Sequence, residues 1–284
     1  MIAETELRWF GGILPPELTQ VRIVVISDLH YGNPYCSTNH FQRTLNYINE
    51  NKDCYCFLNG DLCESSIRTS KGDIFKQVGT PQEQRDWVIE QLLPIKDKVL
   101  GVTTGNHEHR IYNETGVDIT SDIAAALGTP YRPDGMLYKL SFGDNNNRTK
   151  GQPFVFWSYI THGYGGARTK SAKAAKVERL STWVHADWYA MSHDHVVNVA
   201  PDVYLIPDNR GTVDKDTGFL TGKVTAHREM LIKTNAYIKW GGYSEFLGFP
   251  PSDLATPVIL LLTPKSDMWD MMPEKRHQAV KVIV

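Results

Sequence analysis

Apolar residues gather in short, nearly continuous runs along the first part of the chain. Residues 21–27 (VRIVVIS), 54–58 and 98–103 form such runs, and polar residues follow each of them. Runs of this length without alternation are typical of strands that are buried on both faces, in a sheet covered by helices. Between the runs, residues 38–51 and 81–92 have apolar side chains at helical spacing, which predicts two helices.

A third helix is predicted over residues 117–127, so the order begins strand, helix, strand, helix, strand, helix. This alternation is typical of an α/β fold with a parallel sheet. From about residue 196 strand patterns dominate and no linker interrupts the chain, so we predict one domain over residues 1–284 with a β-rich C-terminal part. The other predicted elements are strands over 136–142, 153–161 and 187–191 and a helix over 170–182.

The composition is that of an ordinary globular protein, with 41% hydrophobic and 22% charged residues. A formal net charge of -2 excludes a strong overall attraction to nucleic acid or to an anionic membrane. The sequence has no run of the ~18 apolar residues that span a membrane and no signal-peptide core, so we expect a soluble, cytoplasmic protein. Its four cysteines lack zinc-finger spacing and are expected to be buried free thiols.

Side chains that bind metals follow five of the predicted strands. Open α/β sheets place their chemistry at such strand ends. Side chains two apart on an extended segment point the same way, so we expect each closely spaced pair to direct two donors into one space. The residues, strand by strand, are Asp28 and His30; Asp61; Asn106 and His107; His162; and His193 and His195.

Apart from His107, this set offers two carboxylates, one amide and four imidazoles. A single zinc ion needs only about three or four ligands, whereas seven mixed nitrogen and oxygen donors suit two ions that share a carboxylate. Two ions ~3.5–4 Å apart can clamp a phosphate and generate hydroxide at neutral pH. A lone Asp more often caps a turn and a lone His is more often structural, so the agreement of five strand ends favours the metal centre.

These motifs resemble, in the same order, the signature of the calcineurin-like metallophosphoesterase superfamily, over residues 28–195. The resemblance implies an α/β fold of the four-layer α/β/β/α type, in which two mixed sheets are flanked by helices and the dimetal site lies at one edge. It also implies a metal-dependent phosphoric ester hydrolase. The segments that carry the resemblance are Asp28-Leu29-His30, Gly60-Asp61, Gly105-Asn106-His107-Glu108, His162-Gly163 and His193-Asp194-His195.

The same resemblance implies two divalent ions, with manganese as the first choice and iron, zinc, magnesium or nickel as alternatives. It assigns His107 as the proton donor to the leaving oxygen or as a stabiliser of the phosphate, with Glu108 as an orienting partner. Its implied ligands are Asp28, His30 and His195 for the first ion, Asn106, His162 and His193 for the second, and Asp61 as the bridge.

Two departures from the family pattern bear on this assignment. Ser192 stands before His193 where the family usually has glycine, so the local turn is expected to differ. The residues after Asp61 are Leu62-Cys63-Glu64, and the Asp-Arg-Gly run of protein Ser/Thr phosphatases is absent. A phosphoprotein substrate is therefore the weaker hypothesis.

A glycine-rich and basic segment follows His162 and indicates the substrate class. Glycine backbone beside a metal site can approach phosphate closely, and Arg168, Lys170 and Lys173 are candidate phosphate ligands. We therefore predict a phosphodiesterase with a nucleotide or nucleic-acid substrate and no membrane partner; the oligomeric state is not predicted. The alternatives are a phosphomonoesterase on a small phosphorylated substrate, a non-catalytic metal-binding scaffold, and a nucleic-acid binding protein in which hydrolysis is secondary.

Overall fold

Two β-sheets pack face to face in this computed structural model. It describes residues 4–70, 74–142, 153–234, 236–241, 245, 248, 251, 253–272 and 279–284. Within these ranges one sheet has five strands and the other has six. No helix in the described part of the chain is long and apolar enough to cross a membrane.

The five-stranded sheet has the order β11-β10-β2-β3-β4 across the described residues. Strands β2, β3 and β4 are parallel, and β10 pairs antiparallel with both β2 and β11. The three parallel strands agree with the predicted runs at 21–27, 54–58 and 98–103. The strand bounds are β2 Gln20–Ile26, β3 Cys54–Asn59, β4 Val99–Thr103, β10 Val258–Leu262 and β11 Val280–Ile283.

The six-stranded sheet has the order β1-β5-β6-β7-β9-β8, again counting only described residues. Strands β6, β7 and β9 run parallel to one another, β1 runs parallel to β5, and the β5–β6 and β8–β9 pairs are antiparallel. The bounds are β1 Trp9–Ile13, β5 Met136–Ser141, β6 Val155–Thr161, β7 Trp188–Met191, β8 Asn198–Val213 and β9 Leu220–Lys233.

Helices cover the outer faces of both sheets. Helices α1 (Thr38–Glu50), α2 (Pro81–Leu92) and α4 (Ile119–Leu127) lie on the five-stranded sheet, and α5 (Lys170–Ser181) lies on the other. Helix α2 begins where predicted because Pro81 follows the capping residue Thr80, and a 3₁₀ turn over Leu93–Lys98 continues it.

The alternation of side chains along β2 shows why both of its faces are apolar. Val21, Ile23 and Val25 pack in the core between the two sheets, while Val24 and Ile26 pack under the helices. The predicted α/β fold, with two mixed sheets flanked by helices, is therefore confirmed. The β-rich part beyond residue 196 adds two described strands to each sheet, and the single-domain organisation stays a prediction.

Two elements were not predicted from the sequence. Strand β1 is short, and Trp9 and Ile13 are exposed, so its sequence carries little sign of burial. Helix α3 spans Asn106–Thr115, a segment for which the sequence pattern predicts no helix. Of its side chains only Glu108 and Ile111 are buried, so the helix has almost no apolar stripe to reveal it.

The loops that follow β3 and β4 touch at two glycines. Gly60 has a φ of +76°, and a Cβ at this position would overlap the backbone of Gly105. A Cβ on Gly105 would in turn overlap the backbone N–H and the carboxylate of Asp61. Neither loop can therefore hold a side chain here, and both Asp61 and the start of α3 depend on this contact.

We expect Gly60→Ala to lower the free energy of unfolding by more than the ~1–2 kcal/mol cost of a left-handed alanine, because its methyl group meets backbone. Gly128→Ala is the matched control: Gly128 also has a positive φ, of 67°, but nothing lies within 4 Å of its added Cβ. Urea denaturation followed by circular dichroism measures both. Equal losses in the two variants would contradict the close approach of the two loops.

Candidate metal centre

The carboxyl ends of five strands meet at one edge of the two packed sheets. The loops after β2 and β3 are joined by the backbone, since the N–H of Asp28 donates to the carbonyl of Gly60 (3.0 Å) and that of His30 to the carbonyl of Asp61 (2.9 Å). On the other sheet the N–H of Ser192 donates to the carbonyl of His162 (3.0 Å). The N–H of His193 then donates to Oδ2 of Asp28 (3.1 Å), which links the two sheets.

Left-handed backbone is concentrated at this edge. Five residues of the predicted site have a positive φ: Asp28 (50°), His30 (49°), Asp61 (51°), His193 (70°) and His195 (51°). Each such non-glycine residue costs ~1–3 kcal/mol and is typical of functional sites. The Asp28/His30 and His193/His195 pairs were expected on extended backbone; instead both members of each pair are left-handed.

A first group of ligand atoms combines one carboxylate with two imidazoles. The Nε2 atoms of His30 and His195 are 3.3 Å apart, and Oδ1 of Asp28 is 3.1 Å from the His195 nitrogen and 3.8 Å from the His30 nitrogen. Asp28 and His30 are buried, and one third of the His195 side chain is exposed. The three residues come from both sheets.

A second group contains Asp61, His162 and His193. Nε2 of His162 is 3.1 Å from Oδ2 of Asp61 and 3.3 Å from Nδ1 of His193. The other ring nitrogens meet backbone carbonyls, at Asn59 for His162 (2.8 Å) and at Gly165 for His193 (2.7 Å). Such contacts fix the tautomer and direct the free nitrogen inward, as is usual for histidines that bind metals.

Asp61 lies between the two groups. Its Oδ2 is 3.1 Å from Nε2 of His162 and 3.8 Å from Nε2 of His30. Its Oδ1 accepts a hydrogen bond from the backbone N–H of His107 (2.8 Å). One oxygen of this buried carboxylate therefore faces ligands of both groups while the other anchors the start of α3.

These donors fit divalent cations. Oδ1 of Asp28 is buried and accepts no hydrogen bond from the described residues, although imidazole nitrogens surround it. Burial tends to raise the pKa of Asp28, but the positive charges of His195 and His162 outweigh it and hold the pKa well below its usual range. Burial tends to lower the pKa of His162, but Asp61 and Asp28 raise it to about 9. The carboxylates thus require neighbouring positive charge, which a divalent ion supplies.

His107 faces the same centre from the first turn of α3. Its Nδ1 meets the backbone carbonyl of Glu64 (2.8 Å), and its Nε2 is 3.9 Å from Oδ2 of Asp61. Burial lowers the pKa of His107 to about 4, although the charge of Asp61 acts in the opposite direction. Asn106 precedes it at the helix start with an exposed side chain, and the described contacts include no hydrogen bond from it to either ligand group.

The hydrogen bonds described for Glu108 lead to backbone groups, whereas the role expected for it was to orient the His107 ring. Its buried carboxylate accepts backbone N–H groups from Asp61 (2.9 Å), Cys63 (2.9 Å) and Gly105 (3.3 Å). Burial and the charge of Asp61 raise the pKa of Glu108 to about 7. Because the side chain points back along its own helix, Glu108 ties the β3 and β4 loops together beneath the site.

Glu64 is a residue of the site that was not predicted from the sequence. Its carboxylate contacts Nδ1 of His30 (3.2 Å) and accepts hydrogen bonds from Asn33 (3.1 Å) and Ser66 (2.9 Å). Its carbonyl holds the His107 ring, so one residue orients two histidines. The sequence offers only a glutamate shortly after Asp61, and a glutamate is most often a solvent-exposed residue.

Ser192, which stands where the family usually has glycine, accepts two hydrogen bonds through its hydroxyl oxygen. It accepts a hydrogen bond from Nδ2 of Asn59 (2.5 Å), and the hydroxyl of Thr234 donates to it (2.8 Å). The backbone of Ser192 is not left-handed, unlike that of His193 beside it. The serine therefore joins the ends of β3 and β9.

The three predicted phosphate ligands lie in different surroundings. Arg168 and Lys170 are exposed beside the loop whose Gly165 carbonyl contacts His193. Lys173 is buried, and its ammonium group donates to the carbonyl of Asp194 (2.8 Å), so it is not available to a phosphate as predicted. Helical spacing gave no sign of this contact because Asp194 lies on a different element.

Asp194 is surrounded by ammonium groups. Its carboxylate accepts from Lys176 (2.7 Å) and from the fully buried Lys233 (2.7 Å), and Lys233 also donates to the carbonyl of Ser192 (2.7 Å). Together with Lys173 these contacts hold the residue between His193 and His195 in place. They stabilise a backbone segment that would otherwise resist two left-handed residues in close succession.

Several solved structures of low sequence identity align with most of this chain. A conserved uncharacterized protein from Streptococcus pneumoniae TIGR4, a predicted phosphoesterase, is 10% identical, with a TM-score of 0.38 over 94% of this chain and 98% of that one. The nuclease MPE of Pseudomonas putida is 12% identical, with a TM-score of 0.35 over 84% and 82%. GAP50 of Plasmodium is 11% identical, with a TM-score of 0.42 over 86% and 82%.

At identities and scores this low, these similarities carry no information on the substrate. No curated protein matches the sequence. The family model described as calcineurin-like phosphoesterase, however, matches residues 21–197, which include every strand end that contributes to the two ligand groups. The chain therefore belongs to the calcineurin-like phosphoesterase family.

Proposed function

We propose that the protein is a dimetal phosphodiesterase that acts on nucleotide or nucleic-acid phosphodiesters. The observation that carries the proposal is the convergence of two ligand groups on the buried carboxylate of Asp61, with Nε2 of His107 3.9 Å from the same oxygen. Members of the family depend on two metals, so this arrangement supports phosphoester hydrolysis by the chain.

We infer that Asp28, His30 and His195 hold one ion and that His162, His193 and Asn106 hold the other, with Asp61 shared. When bound, two divalent ions supply Lewis-acid activation of water and neutralise charge on the phosphate. Manganese is our first choice, because mixed carboxylate, amide and imidazole donors suit it, with iron, zinc, magnesium or nickel as alternatives. Asn106 is the first residue of α3, next to His107, and its side chain is exposed.

His107 is the group proposed to protonate the leaving oxygen. The Glu64 carbonyl accepts from Nδ1, which leaves Nε2 directed at the centre. An anionic phosphate next to the ring would favour the protonated form and oppose the effect of burial on the pKa. The imidazolium can then donate its Nε2 proton as the phosphorus–oxygen bond breaks.

A diester substrate is favoured by the exposed cations beside the centre. Arg168 and Lys170 follow a glycine-rich loop that touches His193 through Gly165, so they lie along the surface next to the ligand groups. They can contact the phosphate backbone of a nucleotide chain. The second candidate is a phosphomonoesterase, which is favoured by the engagement of Lys173 and Lys176 with Asp194 and the smaller basic surface that remains.

We expect the protein to retain about two divalent ions per chain, and His195→Ala to retain about one, because Asp61, His162 and His193 stay intact. Mass-spectrometric metal analysis after dialysis with manganese measures the occupancy. His185→Ala removes an exposed histidine and should leave the occupancy unchanged. Fewer than one tightly bound ion in the unmodified protein would instead favour the non-catalytic scaffold.

His107→Ala should lower the kcat for manganese-dependent hydrolysis of a dinucleotide, whose leaving alkoxide needs a proton, by ~10²–10⁴-fold, because a positioned proton donor contributes about that much. Metal content should not change, since His107 is not among the proposed ligands. The matched control is His109→Ala, an exposed histidine two residues further along α3. Unchanged turnover in the His107 variant with intact metal content would remove His107 from the mechanism.

The double change Arg168→Ala with Lys170→Ala should reduce kcat/KM on single-stranded DNA or RNA by ~10-fold or more and flatten its dependence on salt. Turnover of bis-p-nitrophenyl phosphate should stay the same, because that diester is too short to reach these side chains. Arg179→Ala on the exposed side of α5 is the control. Nucleic-acid turnover that is untouched by the double change, or faster hydrolysis of p-nitrophenyl phosphate than of the diester, would favour the monoesterase.

A further inference from the structure

An arginine on helix α3 lies about one helical turn beyond His107. Arg110 follows His107 by three residues, and residues at this spacing are neighbours on one face of a helix. Because α3 begins at the ligand groups, Arg110 lies ~4.5 Å further from them along the helix axis than His107 does. Burial is the main cause that lowers the pKa of His107, and the positive charge of Arg110 acts in the same direction. The guanidinium is therefore close enough to act on the His107 ring.

The loop after β3 contacts both side chains. The backbone carbonyl of Glu64 meets Nδ1 of His107 (2.8 Å), and Nη1 of Arg110 donates a hydrogen bond to the hydroxyl oxygen of Ser70 (2.5 Å). The same hydroxyl oxygen accepts a hydrogen bond from the backbone N–H of Ile67 (2.9 Å), which fixes its position. The loop thus lies along the face of α3 that carries His107, and it holds the guanidinium on that side.

Arg110 differs in its partners from other half-buried arginines of the protein. Arg22 is paired with the carboxylate of Asp53 (2.7 Å). Arg85 is paired with the carboxylate of Asp122 (2.8 Å). Within the described ranges, by contrast, Arg110 forms no ion pair with a carboxylate, and its hydrogen bond leads to a neutral hydroxyl. A guanidinium has five N–H donors, so Arg110 keeps several of them for an anion.

The charges around Arg110 favour an anionic ligand. Glu114 lies four residues further along α3, where a helical ion pair could form, but the described contacts include no ion pair between the two. Arg68, two residues before Ser70, adds an exposed positive charge to the loop. A half-buried cation of this kind is stabilised when an anion binds beside it.

The position of Arg110 determines which part of a substrate it can reach. In the proposed reaction the attacking water forms its bond to phosphorus opposite the leaving oxygen, and the bond between phosphorus and that oxygen breaks. His107 gives the leaving oxygen its Nε2 proton, so the leaving group lies on the His107 side of the phosphate. A side chain beyond His107 along α3 therefore faces the leaving group. In a nucleotide chain, the leaving nucleoside carries the next phosphate.

We propose that Arg110 and Ser70 form a subsite for the phosphate that the leaving nucleoside carries. Arg110 determines specificity and takes no part in proton transfer. The inference rests on the proposed phosphodiesterase function, and it narrows the substrate to a nucleotide chain with at least two phosphates. The guanidinium can donate to two oxygens of one phosphate, and a charge-assisted hydrogen bond typically changes affinity by ~10–100-fold.

Three dinucleotides test the subsite with the manganese-loaded protein: thymidylyl-thymidine (TpT), the same compound with an added 5′-phosphate (pTpT), and that with an added 3′-phosphate (TpTp). The products of TpT identify the leaving nucleoside. Thymidine 5′-phosphate forms when the 3′-oxygen leaves, and pTpT then carries the added phosphate on the leaving nucleoside; thymidine 3′-phosphate forms when the 5′-oxygen leaves, and TpTp then does so. We expect kcat/KM for that dinucleotide to exceed kcat/KM for TpT by ~10–100-fold.

Arg110→Gln and Arg110→Lys are the matched variants, because both side chains can reach Ser70 and only lysine is charged. The glutamine should abolish the preference, and the lysine should keep part of it. Both variants should leave kcat/KM for TpT unchanged, since its leaving nucleoside carries no second phosphate. Unchanged turnover of TpT also shows that each variant is folded. Ser70→Ala should weaken the preference, because its hydroxyl positions the guanidinium.

The inference is overturned if the unmodified protein cleaves TpT as efficiently as the dinucleotide with the phosphorylated leaving nucleoside. A preference that persists in Arg110→Gln overturns it too, as does an equal loss of that variant on both substrates, which would indicate a structural role. These outcomes leave the phosphodiesterase intact, because TpT is still cleaved. If the unmodified protein cleaves none of the three dinucleotides, the proposed function is contradicted and the subsite with it.

Discussion

A hydrogen bond from the backbone N–H of His193 to Oδ2 of Asp28 joins the two sheets at the point where their ligands meet. It leaves Oδ1 of Asp28 directed at the imidazoles of His30 and His195, one from each sheet. Because each ligand group needs its donors within a few ångströms of each other, the packing of the two sheets must hold this contact. The apolar core between the sheets therefore helps to keep the ligands at the polar edge close together.

The edge is strained, and buried polar contacts oppose that strain. Five left-handed residues each cost ~1–3 kcal/mol, which is large beside the total stability of a domain. The Glu108 carboxylate accepts hydrogen bonds from three backbone N–H groups. Lysine side chains donate hydrogen bonds to the carboxylate and to the backbone carbonyl of Asp194. A buried charge with a full set of partners specifies one arrangement, and removal of a partner leaves an uncompensated charge.

The sequence predicted the alternation of strands and helices and the order of the donors because both depend on local patterns, whereas the layers were implied by the resemblance to the family. Buried strands appear as continuous apolar runs, and the donors directly follow them. It did not predict the roles of Glu64, Asn59 or Lys233, since each depends on contacts between distant segments. Lys173 and Lys170 are equivalent in helical spacing, yet only Lys173 reaches Asp194. The left-handed backbone was missed because Asp and His carry no local signal as strong as glycine does.

The position of β10 has a consequence for the order in which the chain folds. Strand β2, which leads to Asp28 and His30, lies between β3 and β10, and β10 is formed by Val258–Leu262. During synthesis, more than two hundred residues are therefore added after β2 before β10, its second neighbour in the sheet, leaves the ribosome. Strand β7 also pairs with a strand that is made later, β9, over a shorter separation in the chain. Such long-range pairing slows folding, and the first ligands emerge from the ribosome well before the sheets around them are complete.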